Sequence, residues 1–150
     1  MSGVFGTLAR KGFHARIVIL TLYLEKVSPW KLPMKIVRKL VCQAIYHVEV
    51  HPDSFASAAA ILSLRLPHPF LIIVHRSARI GSDVTLFHNV TIGAREKGHA
   101  GLPVLGDGVY VGTGATILGA LELGASSVVG AGSLVLANVP AASTVVGVHK

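Results

Sequence analysis

Leu105-Gly106-Asp107-Gly108-Val109-Tyr110-Val111-Gly112-Thr113-Gly114-Ala115-Thr116-Ile117-Leu118-Gly119 opens a stretch that counts in sixes as far as Pro140. Leu105, Val111, Ile117, Leu123, Val129 and Val135 are aliphatic and stand six apart. Four places after each comes a small or aliphatic residue: Val109, Ala115, Leu121, Ser127, Ser133 and Val139. This period matches neither a helix of about 3.6 residues per turn nor a strand that alternates in twos. It predicts a solenoid in which each hexad is one short strand plus a corner, and in which stacked repeats share a core. The aliphatic side chain points into a prism. Glycine follows it at Gly106, Gly112, Gly124 and Gly130, where it lets the backbone turn at a place a side chain would collide.

Upstream the same count returns in Val74, Ile80, Leu86 and Ile92, with Ala78, Val84 and Val90 in fourth place. Between Ile92 and Leu105 lie thirteen steps rather than twelve. The gap holds Arg95-Glu96-Lys97-Gly98-His99-Ala100-Gly101, whose charges and glycines cannot fill a core, so it is expected to loop outward. From Val50 to Leu66 the pattern is ragged. Asp53 to Ala60 reads equally as a distorted first coil or as a short helix.

The solenoid is expected over residues 49–150 and a helical cap over residues 1–48. Two helices are predicted, at 13–27 and 33–48. The second carries Ile36, Leu40, Ala44 and His47 or Val48 on one face, with Lys35, Arg38, Lys39 and Gln43 elsewhere. This face is expected to cover the open end of the solenoid, where unpaired strand edges would otherwise lie bare. Peripheral attachment to an anionic membrane is the alternative use of the same helices. The apolar run Ile17 to Leu24 follows three basic residues, yet eight residues fall short of the roughly 20 a bilayer needs, and no small-residue cleavage site follows. Cys42 falls among apolar neighbours and reads as an inert core thiol.

Of the 150 residues 51% are hydrophobic and only 14% charged, an apolar balance that a homo-oligomer would hide. A net charge of +7 suits an anionic ligand or surface. Nucleic acid is disfavoured, because aromatic residues are few and the basic ones concentrate in residues 10–39. The single cysteine excludes an internal disulfide and fits a cytoplasmic setting.

Three segments narrow the function. Leu66-Pro67-His68-Pro69-Phe70-Leu71-Ile72-Ile73-Val74, then Val90-Thr91-Ile92-Gly93, then Val111 to Gly119, resemble the serine O-acetyltransferases. Within that family they look like the short relatives associated with polysaccharide synthesis. The resemblance covers residues 49–148. It implies a mainly β fold, a left-handed parallel β-helix of hexapeptide repeats, and transfer of an acetyl group from acetyl-CoA to an acceptor hydroxyl without a metal. It also implies trimers, or multiples of them, with sites between neighbours. His68 takes the place of the general base; an alcohol needs one, and an imidazole with a pKa near about 6.5 can accept its proton. The family orients that base with an acid in an acidic-aliphatic-His-Pro motif, which Glu49-Val50-His51-Pro52 matches. The spacing to His68 is four residues longer than the family's, which leaves Asp53 as a rival. For the donor, the resemblance sets Gly93 and Ala94 at the thioester end, with Thr113, Gly114 and Ala131 along the pantetheine arm. Val111-Gly112-Thr113-Gly114 and Val129-Gly130-Ala131-Gly132 are 18 residues apart, one turn of a three-sided prism, so they are expected to stack about 4.8 Å apart. Arg95, Lys97 and Lys150 are candidates for the phosphates.

One departure bears on the acceptor. Enzymes of this family that act on serine carry Asp-Arg-His-Pro on the extruded loop and an Asp before the base. Here those places read Ala100-Gly101-Leu102-Pro103 and Pro67. L-serine follows from the family, whereas the missing charges favour a saccharide hydroxyl. A non-catalytic scaffold would account for every hexad and leave His68 unexplained. A carbonic anhydrase-like metal enzyme would need three converging imidazoles, from His75, His88 and His99.

Overall fold

The computed structural model describes residues 2–9, 11–95 and 101–150. Twelve short parallel strands form three faces of a prism. The first face is ordered β1-β4-β7-β10-β12 (Ile73–Val74, Thr91–Gly93, Thr116–Leu118, Leu134–Val135, Val148–His149). The second is β2-β5-β8 (Arg79–Ile80, Val104–Leu105, Glu122–Leu123). The third is β3-β6-β9-β11 (Tyr110–Val111 being β6, flanked by Thr85–Leu86, Val128–Val129 and Thr144–Val145). The hexad aliphatics are the inward residue of each strand: Ile92, Val111, Ile117, Leu123, Val129 and Val135 are fully buried, and pair in register with one another from coil to coil. The fourth-place residues are buried too, down to the small Ser127 and Ser133.

The glycines bear out half of the sequence expectation. A side chain would indeed collide at Gly112, where a Cβ would meet the Ala131 nitrogen of the next coil at 2.7 Å, but the chain does not turn there. The turning falls to residues three places before the core aliphatic, which adopt positive φ at two of the three corners. Gly114 and Gly132 do so, and so do Asp83, Asn89 and Ser126, at 56°, 57° and 59°; Asn and Asp tolerate this region better than most side chains.

Two irregularities resolve. Val104–Leu105 is the second-face strand that directly follows Thr91–Gly93 in the chain, so the thirteen steps are a single hexad with an insertion rather than two hexads and a slip. Most of the insertion, residues 96–100, lies outside the described residues. Glu49, Phe55 and Arg65 each bridge to the coil that follows them, at Ile73, Ile80 and Thr85. Residues 49–66 are therefore a distorted first coil that also contains a short helix, α4 (Ala58–Ser63). Its N-cap is Ser57, whose hydroxyl accepts the Ala60 N–H.

Before the prism come α1 (Ser2–Ala9), α2 (Phe13–Val27) and α3 (Lys31–Arg38), the last running on as a wide π-helical segment, Lys39–Ile45. In α2, Ala15, Val18, Ile19 and Leu22 recur at helical spacing and are buried in one cluster with Ile61 and Leu64 of the first coil. Val18, Ile19 and Leu22 each contribute about 1.5–3 kcal/mol, and Ala15 less. The second helix overturns its predicted orientation. Ile36, Leu40, Ala44 and His47 are exposed, while Arg38 and Cys42 face inward, as does Val48, the alternative to His47 at the end of that face. The cause is charge. Glu25 of α2 is buried, and the Arg38 guanidinium, also buried, donates to its carboxylate at 2.7 Å. A buried carboxylate needs such a partner, and meeting it rotates the apolar stripe outward. Cys42 is fully buried, and burial pushes its thiol up to about 11, which keeps it inert at neutral pH.

Candidate active site

Two edges of the prism carry the residues singled out in the sequence. The edge between the third and first faces holds His68. Position 68 shares the hexad phase of Val74 but not its role. Arg65 and Ile73 register with Thr85 and Thr91, so Leu66 is the inward counterpart of Leu86. Eight steps then lead from Leu66 to Val74, where six lead from Leu86 to Ile92. The two extra residues make Pro67–Leu71 a raised corner that carries an exposed His68. The corner is held from behind. Phe70 packs on Tyr46 and His14, at 5.6 and 5.8 Å between ring centroids, and Tyr46 and His14 are joined at 3.1 Å through OH and Nδ1. The Leu71 N–H donates to the Tyr46 carbonyl, and Leu71 closes the corner at φ 56°.

The His68 ring faces Phe87 at 6.4 Å and stands edge-on to His88 at 5.8 Å. His88 was no candidate for this role in the sequence, since nothing in a hexad count says which corner residues meet across coils. Its Nδ1 is buried without a hydrogen-bond partner among the described residues. The same edge continues downward through the small-residue column. The Gly114 N–H donates to the His88 carbonyl at 3.1 Å, and Gly132 N–H to the Thr113 carbonyl at 2.8 Å. His68, His88, Thr113, Gly114 and Ala131 thus share one edge, Thr113 and Gly114 half-buried and Ala131 exposed.

Gly93, Ala94 and Arg95 lie at the other end of the first-face strands, on the edge leading to the second face. There a cleft of about 610 Å³ opens between the helical segment and the prism, lined by Arg38, Lys39, Glu49, His75, Gly93 and Ala94 among others. Arg95 is exposed beside Gly119. Lys150 is exposed at the chain end, and Lys97 lies outside the described residues.

Glu49 occupies the first rung of the first face, paired with Ile73, and lines this cleft. Among the described residues no hydrogen bond joins it to His68. Asp53 is committed elsewhere: its carboxylate lies 3.2 Å from His51 Nδ1 and 3.6 Å from the Arg76 guanidinium. Of the three histidines weighed for a metal, His75 and His88 stand at opposite edges of the first face, and His99 lies outside the described residues. Among the described residues no three His, Cys, Asp or Glu side chains are grouped to hold an ion.

His51 Nδ1 also accepts the Asp53 N–H at 3.3 Å, which suits the neutral ring. Burial first, then the Arg38 guanidinium, holds the His51 imidazole below its ordinary value against the opposing pull of Asp53. The unfolded chain then binds the extra proton, so this contribution to stability is present above about pH 6.5 and is lost as pH falls through the lower folded value. Urea midpoints of the native chain are expected to drop between pH 7 and 5 more than those of His51→Gln; parallel profiles would contradict the assignment.

A prism of stacked parallel hexad coils, with a histidine raised on one edge above a column of small residues, defines the left-handed β-helix class of hexapeptide-repeat proteins. Within that class the chain is similar to serine acetyltransferases. It is 34% identical over 141 residues to a serine acetyltransferase of Buchnera aphidicola from Acyrthosiphon pisum, covering 92% of this chain and 49% of that one. It is 36% identical over 104 residues to that of Helicobacter pylori, covering 67% and 57%. Among solved structures it superposes on a truncated serine acetyltransferase apoenzyme with a TM-score of 0.71 at 30% identity, over 91% of this chain and 55% of that one. A serine acetyltransferase in complex with CoA gives 0.68 at 27%, over 89% and 53%. The Neisseria gonorrhoeae enzyme in complex with serine gives 0.70 at 28%, over 91% and 54%. No protein-family model matches the chain. The chain spans about half the length of the relatives it matches most extensively.

Proposed function

We propose that the chain is an acetyl-CoA-dependent O-acetyltransferase with His68 as general base. The observation that carries this reading is the shared edge: a raised, exposed imidazole stands at the head of the Thr113–Ala131 column, whose small side chains leave room for a slender pantetheine arm. His68 takes the proton of the acceptor hydroxyl as its oxygen attacks the thioester carbonyl. The carbon–sulfur bond then breaks, and the imidazolium returns the proton to the leaving thiolate. A cytoplasmic setting, where acetyl-CoA is made and used, fits this chemistry.

Gly93 and Ala94 stand on the other edge of the chain. A trimer would bring that edge of one subunit towards the His68 edge of its neighbour, so that each site draws on two chains. The strand surfaces favour such packing. From the second coil onward the outward residues of the first and third faces carry no charge, whereas the second face presents Arg79 and Glu122. Light scattering is expected to give three times the chain mass or a multiple of it; a monomer at micromolar concentration would sink the two-chain site.

For the acceptor we favour a saccharide or another neutral hydroxyl compound. Pro67 and Ala100-Gly101-Leu102 offer no charge to a zwitterion, and Arg76 is already engaged by Asp53. The names of the relatives, one of them seen with serine, support L-serine as the second reading. Glu49 lines the cleft and is the carboxylate available to orient a neighbour's base.

Transfer is direct in this reading. Cys42 is buried with a raised thiol, and no serine hydroxyl is hydrogen-bonded to a histidine side chain among the described residues, so no activated nucleophile is visible. Initial-rate plots against both substrates are expected to intersect. Parallel lines, or an acetylated protein isolated by mass spectrometry, would contradict direct transfer.

A further inference from the structure

The apolar face that the Glu25–Arg38 pair turns outward has no partner among the described residues. Leu32, Ile36 and Leu40 follow one another at four-residue steps along it and are 71%, 51% and 61% exposed. Val37 lies beside them, and Val27 and Trp30 extend the patch at the start of α3, Trp30 being 71% exposed. Lys31, Lys35 and Lys39 form a parallel row along one flank, at the same spacing. No Asp or Glu occurs between Glu25 and Glu49. Among the described residues, the Lys35 and Lys39 side chains make neither a hydrogen bond nor an ion pair, whereas the Lys31 side chain donates to the carbonyls of Glu25 and Lys26.

We infer that this face docks reversibly on an anionic lipid bilayer, α3 lying in the plane of the headgroups. The charge pattern chooses between occupants. A second copy of the chain on this face would add a second lysine row, set against the first when the two helices run antiparallel, and would bring no acidic residue on the segment to compensate. An anionic lipid surface offers the opposite sign along the whole row and an apolar layer at the depth of Leu32, Ile36 and Leu40. An outward apolar stripe with lysines at its margin and a tryptophan at its end is the pattern of helices that lie in the interface. No helix among the described residues is long and apolar enough to cross a membrane, and a single short amphipathic segment supports weak, salt-sensitive attachment rather than anchoring. The inference does not depend on the transfer chemistry.

Trp30 is the one tryptophan of the sequence and reports the docking directly. The full chain is mixed with vesicles of phosphatidylcholine alone and of phosphatidylcholine with 30% phosphatidylglycerol. Its emission is followed, and bound protein is measured by sedimentation. Binding with a blue shift is expected on the anionic vesicles only and should fade as salt is raised. Ile36→Ser with Leu40→Ser is expected to abolish it. Lys35→Gln with Lys39→Gln is expected to weaken partitioning roughly 25-fold, at about fivefold per lysine. Oligomer size by light scattering and circular dichroism show that each variant keeps its assembly and fold. No binding to anionic vesicles at low salt would overturn the proposal. So would equal binding to both vesicle types, or a smaller oligomer in the Ile36→Ser/Leu40→Ser variant, which would identify a second copy as the occupant.

Discussion

Replacing His68 with alanine is expected to slow acetyl transfer by roughly 10²–10⁴-fold, the usual range for losing a general base, and to leave acetyl-CoA affinity nearly unchanged. The separation follows from position. His68 crowns the edge, and the donor column begins below it at Thr113, with His88 between them. Phe70, Tyr46 and His14 hold the corner from behind, so truncating the His68 ring is expected to change little beyond the imidazole itself. A rate within tenfold of the native one would remove His68 from the mechanism. Tyr46→Leu provides a contrast. It should lower the rate by loosening the corner while keeping the pH dependence of the native enzyme, whereas His68→Ala should lose the limb that reports deprotonation of the base.

Arg38→Ala is expected to destabilise the fold by about 3–5 kcal/mol, because it leaves the Glu25 carboxylate buried and unpaired. For a chain of this length that is a fall in melting temperature of roughly 6–20 °C. Changing both partners together to apolar residues of similar size, Glu25→Met with Arg38→Met, is expected to recover most of the loss, since the cost lies in the stranded charge. Arg38→Ala unfolding at the native midpoint would show the pair to be dispensable. The double variant has a second use. With nothing polar to face, the helix is free to rotate its Ile36–Leu40 stripe inward, and lipid binding should fall with it.

The prism was legible because a hexad count is a packing rule. Every inward strand residue from Val74 to Val135 follows from it, with the buried fourth-place serines. The helix α2 was legible because Ala15, Val18, Ile19 and Leu22 form an ordinary apolar stripe. The orientation of α3 was not. The sequence shows a better apolar face than the one that packs, and the choice is made by Glu25, a residue of another helix whose burial no local pattern announces. His68 was singled out by the motif around it; that it stands outside the prism, though six places before Val74, follows from a corner two residues longer, which a hexad count does not show. The edge-on meeting of His68 and His88 lay beyond reach, because it depends on how corners of adjacent coils stack. Glu49 was identified with its place on the first rung left open, and within one chain it faces the cleft rather than His68.

The most direct test of acetyl transfer to a hydroxyl is release of free thiol from acetyl-CoA by the purified full-length chain. It would be measured with a panel of neutral sugars and oligosaccharides beside L-serine, and repeated with His68→Ala. The expected result is release that depends on a saccharide acceptor and on His68, with a specificity constant for L-serine below about 10⁴ M⁻¹s⁻¹, the lower end of ordinary enzymes. Release above that value with serine would give the acceptor to the amino acid. No acceptor-dependent release with any hydroxyl compound, from protein that keeps its fold and assembly, would contradict the account.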